Sequence, residues 1–240
     1  RKESSAASDV YKRQVMNLSQ TKSNLRYVSD GFDMIRADLN STRGDKKISG
    51  PISIEFEDVS FAYPLSDKKV LDNLSFRINS GQKIAIVGVN GAGKSTIVSL
   101  ILGLYKPSCG KIYINGIDSD QIELKDRFKA FATVLQNVDP LAVSIAENVA
   151  ASSDNINRDR VVKSLEAAGL AYKLDQVEKG IDTPMTKNIH EDGTLFSGGE
   201  NQKLAIARAL YKKDARALIM DEPTASLDAL AEEAIYKQID

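Results

Sequence analysis

From Ile52 onwards the chain alternates apolar and polar residues, and the phase of that alternation changes once, at Asp58. Ile52, Ile54 and Phe56 alternate with Ser53, Glu55 and Glu57, and Val59, Phe61 and Tyr63 resume the period before Pro64 ends it. A period of two predicts strand with one buried and one wet face. Leu74 to Ile78 alternates in the same way and closes at Asn79-Ser80-Gly81. Ile84 to Val87 shows no alternation, which predicts a strand buried on both faces at the centre of a mainly parallel sheet. Lys111 to Ile114 reads as a short strand running into an Asn115-Gly116 turn. Phe131 to Leu135 and Ala217 to Met220 read as further strands. Helical patterns lie between them. Ile97 to Leu102 is followed by Gly103 and Pro107, which bracket a helix exit. Asn157 caps a stripe of Val161, Val162, Leu165 and Ala168 that Gly169 stops. Residues 200–212 carry Leu204, Ala207 and Leu210 or Tyr211 on one side, and Ala229 to Ile239 also looks helical. The expected fold class is α/β, with an N-terminal antiparallel β subdomain, a mainly parallel central sheet and a helical insert at about 137–199.

Residues 1–50 have a different texture. SSAASD is polar and unpatterned, the apolar residues after it are scattered, and residues 41–51 are a linker by composition. The expectation is that 1–50 is the remnant of an upstream membrane-domain region, its first dozen residues open to being foreign sequence, and that 51–240 is one domain, incomplete at its C-terminus.

Composition narrows the function classes. The chain has 240 residues, 42% of them hydrophobic, enough for a substantial core. Its formal net charge of −1 gives no support to nucleic acid as the main partner. No run approaches the roughly 18 apolar residues of a membrane span, and Arg1-Lys2-Glu3-Ser4 is not followed by the apolar core of a signal peptide. The single Cys109 excludes an intrachain disulfide.

The chemistry concentrates at Gly88-Val-Asn-Gly-Ala-Gly-Lys-Ser-Thr96, which sits between the apolar run 84–87 and the predicted helix from Ile97. Gly88, Gly93, Lys94 and Ser95 satisfy the phosphate-loop pattern in the strand–turn–helix context it requires. Glycines let successive N–H groups converge on phosphate oxygens at the positive end of a helix. Lys94 can then reach the terminal phosphates, and the Ser95 hydroxyl can ligate Mg²⁺. Asp221 directly follows the apolar strand 217–220, where a carboxylate can hold Mg²⁺ through its water shell. Glu222, one step further on, is placed to orient or deprotonate an attacking water. Phe196-Ser-Gly-Gly-Glu200 puts a hydroxyl and two glycines before another helix, a second anion-ready start unless Ser197 is simply its cap. Gln136 ends a strand before the helical insert.

Together these motifs resemble one family, the nucleotide-binding domain of ATP-binding cassette (ABC) transporters, over residues 52–240. GVNGAGKST resembles its Walker A motif and ALIMDE at 217–222 its Walker B motif, as in other P-loop NTPases. FSGGE resembles the LSGGQ signature, with Phe196 and Glu200 as departures, and Gln136 matches the Q-loop glutamine. Ser226-Leu-Asp228 matches the D-loop, and Tyr63 sits where such domains stack an aromatic on adenine. VLQNVDPLAVSIAENV has an exporter flavour, although Asp139-Pro140 stands near where many exporters carry an aromatic.

The resemblance implies a Mg²⁺-dependent ATPase. ATP would be bound by Tyr63, Gly88, Asn90, Gly91, Ala92, Gly93, Lys94, Ser95 and Thr96 and covered by Ser197, Gly198 and Gly199 of a second ATPase domain. Ser95, Gln136 and Asp221 would serve the metal, and Glu222, Gln136 and Lys94 the catalysis. A transmembrane domain would be the second partner, placing the chain at the cytoplasmic face of the membrane. The family's switch histidine is not filled by His190, which precedes the signature; it is expected beyond Asp240. Two other readings stay open: a non-transport ATPase of the same family in translation or DNA repair, and a nucleotide-binding regulatory domain without turnover.

Overall fold

The computed structural model describes residues 44–64, 66, 68–135, 139–186 and 193–221. Gln136, His190, Glu222, the 226–228 segment and the expected helix 229–239 lie outside the described residues.

The first alternating segment forms one strand, β1 (Ile54–Ala62). Asp58 is the reason for the phase change. It adopts a positive φ of 48°, and the pairing register shifts between Phe56 and Val59, as at a β-bulge. The bulge lets Phe56, Val59 and Phe61 all face the core despite their odd spacing. β2 (Lys69–Ile78) and β3 (Cys109–Ile114) flank β1 antiparallel, and Asn115 and Gly116, both at positive φ, turn β3 back into β4 (Ile117–Asp118). The sheet order is β2-β1-β3-β4.

The expected mainly parallel sheet is corrected here. Among the described residues, parallel pairing between strands is limited to β5 (Phe131–Val134) with β6 (Ala217–Met220), so the architecture is mixed antiparallel and parallel. Residues 84–87 form no strand, and Val87 is 89% exposed. An apolar run states only that a segment gains by burial; it does not supply the neighbouring strand that would bury it.

Six helices occur among the described residues: α1 (Lys94–Leu102), α2 (Leu124–Ala130), α3 (Ile145–Ala150), α4 (Arg158–Ala167), α5 (Ala171–Leu174) and α6 (Gly198–Tyr211). None is long and apolar enough to cross a membrane. Asn157 caps α4 as expected, its side chain accepting the Arg160 N–H at 3.0 Å.

Two cores organise these elements. The first gathers β1, β3 and the inner face of α1 around Phe56, Leu100 and Ile112. The second gathers α3, α4 and α6 around Ile145, Leu165 and Leu204. The parallel pair joins them, because alternate residues of a strand point to opposite faces. Phe131, Ala217 and Ile219 pack on the first core, while Ala132, Val134 and Met220 pack on the second. The helices of the second core thus pack on the face of the parallel pair opposite to the first core.

Candidate functional site

The phosphate-loop sequence leads into α1, whose N-cap is Gly93 at φ 91°. A Cβ there would lie 2.8 Å from Leu71 Cδ2 and 3.3 Å from the Val70 carbonyl, so the loop is pressed against β2 and only glycine fits. No side chain caps this helix start, and its first turn holds no acidic residue. The backbone N–H groups of the first turn therefore have no side-chain acceptor at the cap position. Residues 88–92 are exposed, and Lys94 Nζ folds back to donate to the carbonyls of Gly88 (3.0 Å) and Val89 (3.3 Å). Ser95 is exposed at the surface of this turn, while its carbonyl accepts the Ser99 hydroxyl at 2.9 Å.

Thr96 points the other way. It is 3% exposed, and its hydroxyl lies 2.9 Å from the Tyr63 hydroxyl. Tyr63 itself is half-buried in an aromatic group, edge-on to Phe61 (5.0 Å) and to Tyr105 (5.3 Å). The structure thus brings Tyr63 and the phosphate-loop helix together through a hydrogen bond that the spacing of the sequence does not announce.

The far end of α1 is equally defined. Arg127 is 5% exposed and donates Nε to the Ile101 carbonyl and Nη2 to the Leu100 carbonyl, both at 2.6 Å. Its Nη1 reaches the Ser119 carbonyl at 3.4 Å. A guanidinium at a helix C-terminus satisfies orphan carbonyls and opposes the negative end of the helix dipole. Nothing in the local pattern of α2 marks Arg127 for this position; it was missed because its partners lie 26 and 27 residues away.

Asp221 stands where β6 ends. It is 8% exposed, and its backbone N–H donates to the Val134 carbonyl at 2.8 Å, which continues the parallel ladder beyond Met220. A hydroxyl at Ser95 and a carboxylate at Asp221 are hard oxygen donors of the kind Mg²⁺ takes together with phosphates. Uncapped N–H groups, a glycine cradle that a Cβ would fill, and an ammonium that donates to two neutral carbonyls suit the anion itself. The residues present therefore fit a Mg²⁺-nucleotide.

The second expected anion site is built differently. Ser197 is the N-cap of α6, and its hydroxyl accepts the Glu200 N–H at 3.3 Å. Glu200 completes the capping box by accepting the Ser197 N–H at 2.7 Å. Ser197 and Gly198 are exposed. This start belongs to the second core and the phosphate loop to the first.

Comparison with known proteins agrees with this geometry. Residues 71–225 match the family described as ABC transporter. The chain is 38% identical over 203 residues to a beta-(1→2)glucan export ATP-binding/permease protein of Agrobacterium vitis, covering 85% of this chain and 32% of that protein. It is 38% identical over 196 residues to an ATP-dependent lipid A-core flippase of Pseudomonas aeruginosa, covering 81% of this chain and 31% of the other. Among solved structures it is similar to a bacterial Atm1-family ABC exporter with ATP bound, with a TM-score of 0.73 and 31% identity over 83% of this chain and 34% of that one. The chain thus spans about a third of the length of these proteins.

Proposed function

This chain belongs to the ABC transporter family, as a nucleotide-binding domain of exporter type, and from that premise we propose that it binds and hydrolyses Mg²⁺-ATP to drive export by a larger transporter. The observation that carries the reading is the start of α1, uncapped and glycine-cradled, with Lys94 turned onto its own loop.

Bound Mg²⁺-ATP supplies the phosphoryl group and the charge that the loop is shaped to receive. Gly88, Asn90, Gly91, Ala92, Gly93 and Thr96 offer backbone N–H groups to it. Lys94 would exchange its two loop carbonyls for phosphate oxygens, and Ser95, Asp221 and Gln136 would hold the metal, which would supply positive charge against the phosphates. Glu222 accepts the proton of the attacking water. Tyr63, anchored to Thr96, borders the nucleotide base. Ser197, Gly198 and Gly199 of a second copy or a homologous domain cover the γ-phosphate, so that two domains pair head to tail. Closure and opening of the pair move a transmembrane domain, and the chain works at the cytoplasmic face of the membrane.

Light scattering of the Glu222→Gln chain with and without ATP, beside ATP turnover of the unaltered chain, tests the proposal. ATP-dependent dimers that Ser197→Arg abolishes support it. Dimers that survive Ser197→Arg remove the signature from the partner's nucleotide. Nucleotide binding without turnover, in this chain and in one extended past Asp240, favours a regulatory domain.

A further inference from the structure

Phe196 and Glu200, the two positions where FSGGE departs from the LSGGQ pattern, lean on the same side chain from another helix. Lys173 of α5 places Nζ 3.0 Å from Glu200 Oε1 and 5.3 Å from the centre of the Phe196 ring. The ion pair is shielded, each side chain retaining 14% of its exposure. Tyr172 adds a hydroxyl donated to the same Oε1 at 3.0 Å, and Oε2 is held by the Ser197 N–H at 2.7 Å. Lys203 of α6 lies over the Tyr172 ring, 6.0 Å from its centre. The cluster therefore draws on α5, on the turn before α6 and on α6 itself.

A carboxylate in the first turn suits a helix that ends in water, because it opposes the positive end of the dipole. It does not suit a helix start that has to receive a phosphate from outside, since a bare negative charge repels the incoming anion. Glu200 is in that position by sequence, yet it is not bare. A shielded ammonium 3.0 Å away cancels its charge while leaving it hydrogen-bonded to Ser197.

We propose that Lys173 is a positioning residue of the signature turn: by neutralising Glu200 and packing on Phe196, it lets a helix start that carries its own carboxylate accept the γ-phosphate of ATP held by a second copy. Lys173 does not touch the nucleotide; it acts through Glu200 and the turn 196–199. This inference rests on the head-to-tail reading above. It explains why neither departure in FSGGE has to cost the turn its function, and it makes α5 a determinant of pairing although α5 is only four residues long.

The test uses the 240-residue chain carrying Glu222→Gln, with ATP and Mg²⁺, and reads the protein concentration at half-dimerisation. Lys173→Met is expected to raise that concentration roughly tenfold at low salt, by exposing the incoming triphosphate to an uncompensated carboxylate. Adding Glu200→Gln should restore most of the loss, Lys173→Arg should cause little, and raised salt should narrow the gap. A packing role would give neither the salt dependence nor the rescue. Nucleotide affinity of the monomer, read with a fluorescent ATP analogue, should stay within about twofold, because the phosphate loop belongs to the other core. Dimerisation unchanged by Lys173→Met, or equally weak in the double variant, overturns the inference and leaves head-to-tail pairing standing. Absence of any ATP-dependent dimer with Lys173 intact overturns both.

Discussion

Helix α1 begins at Gly93 with no side-chain cap and no acidic residue in its first turn, whereas α6 begins at Ser197 with a complete capping box and Glu200 in its first turn. Both starts carry glycines and a Ser, and both are anion-ready by sequence. The difference lies in who satisfies the N–H groups. At α6 the chain does so itself, through Ser197 and Glu200. At α1 no side chain does so, and Lys94 donates to the Gly88 and Val89 carbonyls. An uncapped helix start whose far end is bonded by Arg127 has first-turn N–H groups open to an anion, as the function proposed above requires. A self-capped start is complete alone and can add only a further contact.

The strongest way to break that contrast is to remove what acts only on ligand. Lys94→Ala should abolish ATP turnover and lower nucleotide affinity by roughly 10²-fold, since it deletes a point charge aimed at the terminal phosphates. Its unfolding midpoint in urea should hold, because among the described residues the lysine bonds two loop carbonyls that water can serve. Unchanged affinity with a lowered midpoint would make α1 an ordinary structural helix.

Gly93→Ala attacks the cradle. The added Cβ meets Leu71 Cδ2 at 2.8 Å and sits at φ 91°, so we expect a loss of about 1–3 kcal/mol in stability together with weakened nucleotide binding. Paired urea unfolding and ATP titration read both. If only one changes, the loop's shape and its ligand site are separable. Ser197→Ala is its counterpart at α6. Loss of that cap should cost about 1 kcal/mol in the same unfolding experiment, with the affinity of the monomer for ATP untouched.

How much of this was legible in the sequence follows the reach of each interaction. The phase change at Asp58, the Asn157 cap, the Asn115-Gly116 turn and the end of β6 at Asp221 were readable, because each is decided within a few residues. The same is true of the loop's glycines. Residues 84–87 misled because burial depends on a neighbouring strand that no local pattern specifies. Tyr63 was readable as a candidate for the base, but its bond to Thr96 spans 33 residues. Arg127 and Lys173 left no trace, since a basic residue on a helix looks the same whether it faces water or a carbonyl.

The smallest expected effect sharpens the comparison through pH. Burial works against ionisation of Glu200, but the Ser197 N–H, Lys173 and Tyr172 together outweigh it and hold its carboxyl below the ordinary value of 4.5. A folded value below the unfolded one means that the ionised form stabilises the folded chain above about pH 4.5. That contribution is lost as pH falls through the lower folded value, when the protonated carboxyl releases Lys173 and weakens its hold on the Ser197 N–H. Lys173, Lys203 and Tyr172 are the other titratable groups that face this start among the described residues. The first turn of α1 contains no carboxylate and should not respond. Amide hydrogen exchange, corrected for intrinsic rates, should show the protection of residues 200–202 falling several-fold below pH 4.5, while Ile97 and Val98 of α1 change little. Glu200→Gln should flatten the response at α6. An equal loss at both helices would mean that acid loosens the domain as a whole, and the self-capped start would then owe nothing particular to its carboxylate.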